Sequence, residues 1–123
     1  MNDEEKKERL FFEGLQAYEE KDFFEAHEFW EELWSKYYLA DRTLIQGLIQ
    51  LAVSFVHLGN GNLNGAKSLL NKSAEKFSSF SGVRRGINID NLKKQIREIT
   101  NEYEQLMTVD EFDWAHIPVL RSL

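Results

Sequence analysis

Apolar residues along this chain recur every three or four positions, and no segment alternates for long enough to predict a strand. The period predicts five helices. The first covers about residues 3–20, with Leu10, Phe11, Gly14, Leu15 and Tyr18 on one side, and the charged pair Lys21 and Asp22 ends it. Asp22 is placed to cap the next helix by accepting from the free N–H groups of its first turn, with Glu25 at the matching capping-box position. The stretch FFEAHEFWEELW, residues 23–34, forms this second helix. Asp41 is the expected N-cap of a third helix over 41–58, with Gly59 at its left-handed end. Its TLIQGLIQLAVSFVHL is apolar nearly all round and belongs at the centre of a domain. Gln46, Gln50, Ser54 and His57 make it too polar to span a membrane. A fourth helix is expected over 63–80, the loop SGVRRGIN follows, and Asp90 should cap a fifth helix ending near Met107. Residues 108–123, with Trp114, Ile117, Pro118 and Leu120, predict an apolar tail docked on the same domain.

The two halves of the helical region echo each other at an offset of 40: Tyr18 falls on Leu58, Ala26 on Ala66, Phe29 on Leu69, Trp30 on Leu70 and Tyr37 on Phe77. Each half then forms one hairpin, in which a small alanine lets two helices approach. The expected fold is all-α: a five-helix bundle built of two stacked antiparallel hairpins, tetratricopeptide-like in pattern, plus a fifth helix and the docked tail, with residues 1–123 as a single domain.

Composition narrows the setting. With 123 residues, 42% of them hydrophobic and one proline, the chain can bury a single core without a partner. The absence of cysteine excludes disulfides, thiolate metal sites and cysteine nucleophiles. It also fits an intracellular protein. The charged start MNDEEKKERL has no apolar core of a signal peptide, so a cytoplasmic protein with no membrane contact is expected. The net charge of −6 is uneven. Residues 1–32 hold 12 acids and 4 bases, whereas residues 67–97 hold 8 bases and 2 acids. The basic stretch could draw an anion or the acidic face of a second copy. An acidic chain without a base-reading motif is not expected to bind nucleic acid in a sequence-specific way.

The candidate chemistry lies in two polar stripes. At 100° per residue, taking His27 as zero puts Glu31 at about +40°, Trp34 at about −20° and Tyr38 at about +20°. On the third helix Arg42, Gln46, Gln50 and His57 gather within about 80° of one another, with Ser54 beside them. An antiparallel hairpin would bring His27 toward Ser54 and His57, and Glu31 toward Gln50 and Gln46. Such a cluster can be a buried network that satisfies its own hydrogen bonds. It can also be a ligand or catalytic site in which Glu31 and His27 handle protons. No cofactor is otherwise called for, but His27, Glu31 and His57 could supply three ligands to a divalent metal, zinc or another first-row ion. HEFWE stands one residue short of the zinc-protease pattern, with Glu31 in place of the second histidine. The loop GNGNLNG lacks the endings of phosphate-binding loops and predicts a turn between helices. His116, in the tail, has no helical partner in the pattern.

His27, Glu31 and Trp34 spell HxxxExxW, and RTLIQGLIQLA and GNLNGAKSLL follow downstream. Together these resemble a bacterial and archaeal domain-of-unknown-function family bearing the HxxxExxW signature, over roughly residues 10–80. The resemblance implies a small all-helical protein of no established biochemical role, and it marks His27, Glu31 and Trp34 without bringing a reaction. Two functional classes follow. One is a helical binding or scaffold module, a homodimer or a groove for a protein or peptide partner. The other is an enzyme or metal-dependent protein with its site at His27, Glu31, Gln50 and His57. The first is preferred.

Overall fold

The computed structural model describes residues 1–121. Helix α1 (Asp3–Glu19) starts at Asn2, whose side chain accepts from the Glu5 N–H, and closes through Lys21 in the left-handed region at φ 63°. The N–H groups of Lys21 and Asp22 turn back onto the Tyr18 and Ala17 carbonyls, satisfying groups that a helix end otherwise leaves open. Asp22 then caps α2 (Phe23–Lys36) by accepting from Glu25 N–H at 3.1 Å, as its position predicts.

The same junction recurs at the offset of 40. After α3 (Arg42–Gly59), the N–H groups of Gly61 and Asn62 bond back to Leu58 and His57, and Asn62 caps α4 (Leu63–Phe77) by accepting from Gly65 N–H at 2.9 Å. The left-handed residue is therefore Gly61 at φ 79°, not Gly59, which is still helical. Glycine holds that conformation without the penalty that Lys21 bears in the first hairpin. The hairpins also share a cross-tie. Trp30 Nε1 donates to the Phe11 carbonyl at 3.1 Å, joining α2 to α1, and Ser54 Oγ donates to the Ala66 carbonyl at 2.7 Å, joining α3 to α4.

Two expected caps serve other purposes. Asp41 heads α3 but makes no capping bond, because its carboxylate accepts a fork from Arg85, with Nη2 at 2.9 Å. Asp90 lies inside α5 (Ile89–Gln105), which Asn88 caps, and it accepts instead from Gly82 N–H at 3.0 Å. The expected loop before α5 holds a small hairpin, β1 (Val83–Arg84) against β2 (Ile87–Asn88), turning through Arg85 and Gly86, both at positive φ. Strands of two residues are too short to show alternation, so the pattern gave no sign of them.

Each helix packs on the next in sequence, α1 on α2, α2 on α3, α3 on α4 and α4 on α5. This is the five-helix, all-α architecture that the periodicity predicts. α3 is the central member, with Leu44, Ile45, Leu48, Leu51, Ala52 and Phe55 all at 1% exposure or less. The tail docks as expected. Two 3-10 turns, Val109–Glu111 and Trp114–His116, lead Phe112, Ile117 and Leu120 into the core. Tyr18 donates its hydroxyl to the Pro118 carbonyl at 2.7 Å, the Gln95 amide brackets the Val119 backbone, and Arg121 pairs with Glu19. Burial, and secondarily the neighbouring Tyr103, push the Tyr18 hydroxyl well above its usual pKa, which keeps it a donor. Among the described residues no helix is long and apolar enough to cross a membrane.

α1 and α2 meet at Gly14, where a Cβ would lie 2.1 Å from Trp30 Nε1. Gly14→Ala is expected to lower the unfolding free energy by about 1–3 kcal/mol in a denaturant titration, since a fully buried indole has nowhere to move. A neutral result would contradict that packing. The Arg85 hydrogen bonds, more than the Coulombic effect of its charge, hold the Asp41 carboxyl below its usual pKa. The fork therefore adds stability at pH values above the unfolded aspartate pKa of about 3.9, and that stability disappears as pH falls through the lower folded value. Unfolding measured against pH should show a shallower acid limb in Asp41→Asn than in the parent.

Candidate functional site

α2 turns Phe23, Ala26, Trp30 and Leu33 into the core. At 100° per residue this seam lies roughly a quarter turn from the stripe of His27, Glu31 and Trp34. The stripe therefore runs along the rim of the α2–α3 packing and not inside it. His27 and Trp34 are half-buried and Glu31 is exposed. Phe24, at 56% exposure, begins the stripe, and Tyr38, at 84%, stands beyond its far end.

His27 makes a local contact. Its Nδ1 lies 3.1 Å from the Phe24 carbonyl, one turn back on its own helix, and a carbonyl can only accept, so Nδ1 carries the proton. Its ring lies 5.4 Å from the Phe24 ring. Trp34 is joined to α3. Arg42 donates from Nη1 to the Trp34 carbonyl at 2.9 Å and sets its guanidinium carbon 3.8 Å over the indole. One cation thus satisfies an open carbonyl near the end of α2 and covers an aromatic face. Gln46 and Gln50 follow Arg42 at intervals of four on the same row of α3, both half-buried.

Trp34 Nε1 and Gln50 Oε1 are shielded from solvent and have no hydrogen-bond partner. Leaving a buried donor or acceptor unpaired costs about 1–3 kcal/mol. Among the described residues these are the two side-chain atoms in that condition, and both belong to the stripes.

The constellation divides where the sequence joined it. Ser54 does not meet His27; its hydroxyl donates to Ala66 and lies 3.3 Å from the Tyr103 hydroxyl, inside the α3–α4–α5 core. Burial, opposed by the Ser54 hydrogen bond and helped by the charge of Glu102, pushes the Tyr103 hydroxyl up to about 12. His57 faces the α3–α4 turn, with its Nδ1 3.5 Å from Asn62 Nδ2 and its ring against Gly65. Among the described residues no three of His, Asp and Glu come together as a metal-holding group, so His27, Glu31 and His57 do not form the expected ligand set. Phase turns Ser54, about 80° from Gln46, toward Ala66 of α4, while His57, on the same side as Gln46 and Gln50, lies two turns beyond Gln50 at the end of α3, where it meets Asn62, the cap of α4.

His116 also departs from expectation, with its Nδ1 2.7 Å from Glu102 and its Nε2 3.5 Å from Asp113. The Glu102 hydrogen bond, then its charge, raise the imidazole above its usual pKa. The pairing anchors the tail on α5. It spans 14 residues of sequence across a loop, a separation that no periodicity reveals.

Residues 11–69 match the model of a family described as Domain of unknown function (DUF309). The matched segment runs from α1 into α4 and includes His27, Glu31, Trp34, Arg42, Gln46, Gln50 and His57. The description names no reaction, and the biochemical role is not established. No curated protein and no solved structure matches the chain.

The local setting of His27 leads to a measurement. His27→Ala is expected to change unfolding free energy by no more than about 0.5 kcal/mol, with or without chelator, as for a rim residue whose one bond is to its own helix. A loss of about 2 kcal/mol would restore a buried network, and a chelator-dependent loss would restore the metal.

Proposed function

We propose that the chain is a small helical binding module that holds a segment of another protein chain against the face built by Phe24, His27, Glu31 and Trp34 of α2 and Arg42, Gln46 and Gln50 of α3. The observation that carries this reading is Trp34: its ring is half-exposed and stacked under Arg42, and its N–H is shielded and unpaired. Tryptophan, tyrosine and arginine are the side chains that anchor interfaces, and here Trp34 and Arg42 sit between exposed Phe24 and Tyr38. A donor without an acceptor and an acceptor without a donor are complementary to a peptide group, which offers one of each.

Charge narrows the partner. Glu25, Glu28 and Glu31 stand on α2 with no ion-pair partner among the described residues, while Glu32 is 3.9 Å from Lys36. An amphipathic segment with basic residues beside an apolar anchor suits such a face. A catalytic or metal-dependent role at His27, Glu31, Gln50 and His57 has less support, because among the described residues His57 meets Asn62 at the C-terminal end of α3 and forms no ligand group with His27 and Glu31.

Selection of random peptides displayed on phage against the whole chain tests the reading. Selected peptides should be basic with an aromatic or aliphatic anchor, and Trp34→Ala or Arg42→Ala should weaken their binding at least about tenfold, while Lys94→Ala on α5 leaves it unchanged. A library that yields no binder, or binders indifferent to Trp34, would overturn it.

A further inference from the structure

Asparagine stands directly before glycine at two places in the chain, Asn60 before Gly61 and Asn64 before Gly65, both within GNGNLNG. Asparagine is a chemically labile residue, and the backbone nitrogen of a following glycine attacks its side chain most readily, because no side chain crowds the approach. The two pairs are alike in sequence. The fold separates them.

Asn60 lies outside both helices. It follows Gly59 at φ −91° and ψ 8°, is exposed, and its side chain makes no hydrogen bond among the described residues. Gly61 comes next at φ 79°, with no heavy atom within 4 Å of where a Cβ would stand. Its N–H is held by one bond, to the Leu58 carbonyl at 3.1 Å, at the end of α3, where helices fray. Opening that bond and rotating about the Asn60 ψ sets the Gly61 nitrogen against the Asn60 side-chain carbonyl carbon. Asn64 is the second residue of α4. The Gly65 N–H donates to Asn62 Oδ1 at 2.9 Å, the bond that caps the helix, and a Cβ on Gly65 would lie 3.0 Å from His57 Cγ. The same rotation at Asn64 unwinds the first turn of α4, breaks its cap and pulls Gly65 off the His57 ring.

Asn60 also lines a surface groove of about 460 Å³ with Lys21, Phe24, Val56 and Trp114. This groove is the Phe24 end of the α2 face. Two charged residues, Lys21 and Asp22, stand in its wall, and both are engaged, Lys21 with the Trp114 carbonyl and Asp22 with the Glu25 N–H.

We propose that Asn60 is a modification site, converted without an enzyme to aspartate or isoaspartate while Asn64 is spared in the folded chain, and that the new carboxylate adds to the acidic rim beside Phe24. The Gly61 nitrogen gives up its proton and bonds to the Asn60 side-chain carbonyl carbon. The bond from that carbon to the side-chain NH2 breaks, and ammonia leaves with the proton. Water then opens the five-membered cyclic imide. Cleavage of the newly formed carbon–nitrogen bond gives aspartate, and cleavage of the original backbone bond gives isoaspartate. One water is consumed and one ammonia released, with no change of oxidation state. The effect on the face rests on the binding-face reading of α2, whereas the modification itself does not.

Incubation of the full chain in mildly alkaline buffer, followed by digestion and fragmentation in a mass spectrometer, tests the site. The mass gain of an NH2-to-OH exchange should appear at Asn60, in two chromatographic forms, at least about tenfold faster than at Asn64. In denaturant both asparagines should convert at similar rates, since nothing then distinguishes them. Asn60→Gln, whose longer side chain disfavours the five-membered ring, should remove the early gain. Equal conversion at the two positions in the folded chain, or an Asn60 that stays intact under conditions that convert the denatured chain, would overturn the site. For the face, Asn60→Asp carries the charge of the aspartate product. Basic peptides selected against the parent should bind this variant about twofold tighter or more at low salt, with the gain lost as salt rises. Unchanged affinity overturns the effect on the face, and the α2 reading survives it where Trp34→Ala still weakens binding. A library without binders overturns both, and the masses alone then decide the modification.

Discussion

Trp30 has room in this fold only because residue 14 has no side chain. The indole is fully buried, lies against the Gly14 backbone and gives its N–H to the Phe11 carbonyl of the facing helix. Burying an indole without a partner for its N–H would offset part of the gain from removing so much apolar surface from water, and the Phe11 carbonyl prevents that. The contact sets how closely α1 and α2 approach and which face of α2 turns inward. Once Trp30 points to α1, Phe23, Ala26 and Leu33 follow it into the core, and His27, Glu31 and Trp34 are left on the rim. The position of the candidate site is thus a consequence of core packing next door.

From Trp30 the packing passes through aromatic neighbours. Tyr18 lies 6.2 Å from Trp30 and 5.3 Å from Phe23, Phe23 lies 5.1 Å from Phe55 on the central helix, and Phe23 and Phe112 both meet Trp114 of the tail. Phe112 in turn packs on Tyr103 of α5, 5.7 Å away. Elements distant in sequence are therefore joined by rings whose edge-to-face and tilted contacts prefer defined geometries. The tail is part of this core, and Tyr18 holds it at both levels, by its ring and by its hydroxyl bond to Pro118.

Polar groups in the core join neighbouring helices. Ser54 ties α3 to α4 and touches Tyr103 of α5, and Trp30 ties α2 to α1. In each hairpin one side chain reaches a backbone carbonyl across the crossing, and the junctions on either side close with the same pair of backbone bonds. Against that pattern of complete satisfaction, Trp34 Nε1 and Gln50 Oε1 are exceptions. Buried groups left open in a fold that otherwise closes them single out the rim of α2 and α3, and they are what supports reading it as a binding face.

Much of the architecture was legible in the sequence. Five helices, the cap at Asp22, the central place of α3, the offset of 40 and the docked tail follow from local periodicity, turn chemistry and the length of apolar runs, which act over a few residues. The inward seam at Phe23, Ala26, Trp30 and Leu33 was also written there, but His27, Glu31 and Trp34 share a helix face just as cleanly, and spacing alone does not say which of two stripes faces the core. Tertiary structure decided that, because the answer depends on Gly14, in another helix, making space for Trp30. It likewise decided that Asp41 serves Arg85 at a separation of 44 residues, that Ser54 turns to the Ala66 carbonyl of α4 and His57 to Asn62 at its cap, and that Arg42 reaches back to Trp34 of α2. A helix that is apolar all round offers every side to some neighbour, and only the packed neighbours determine which polar groups meet.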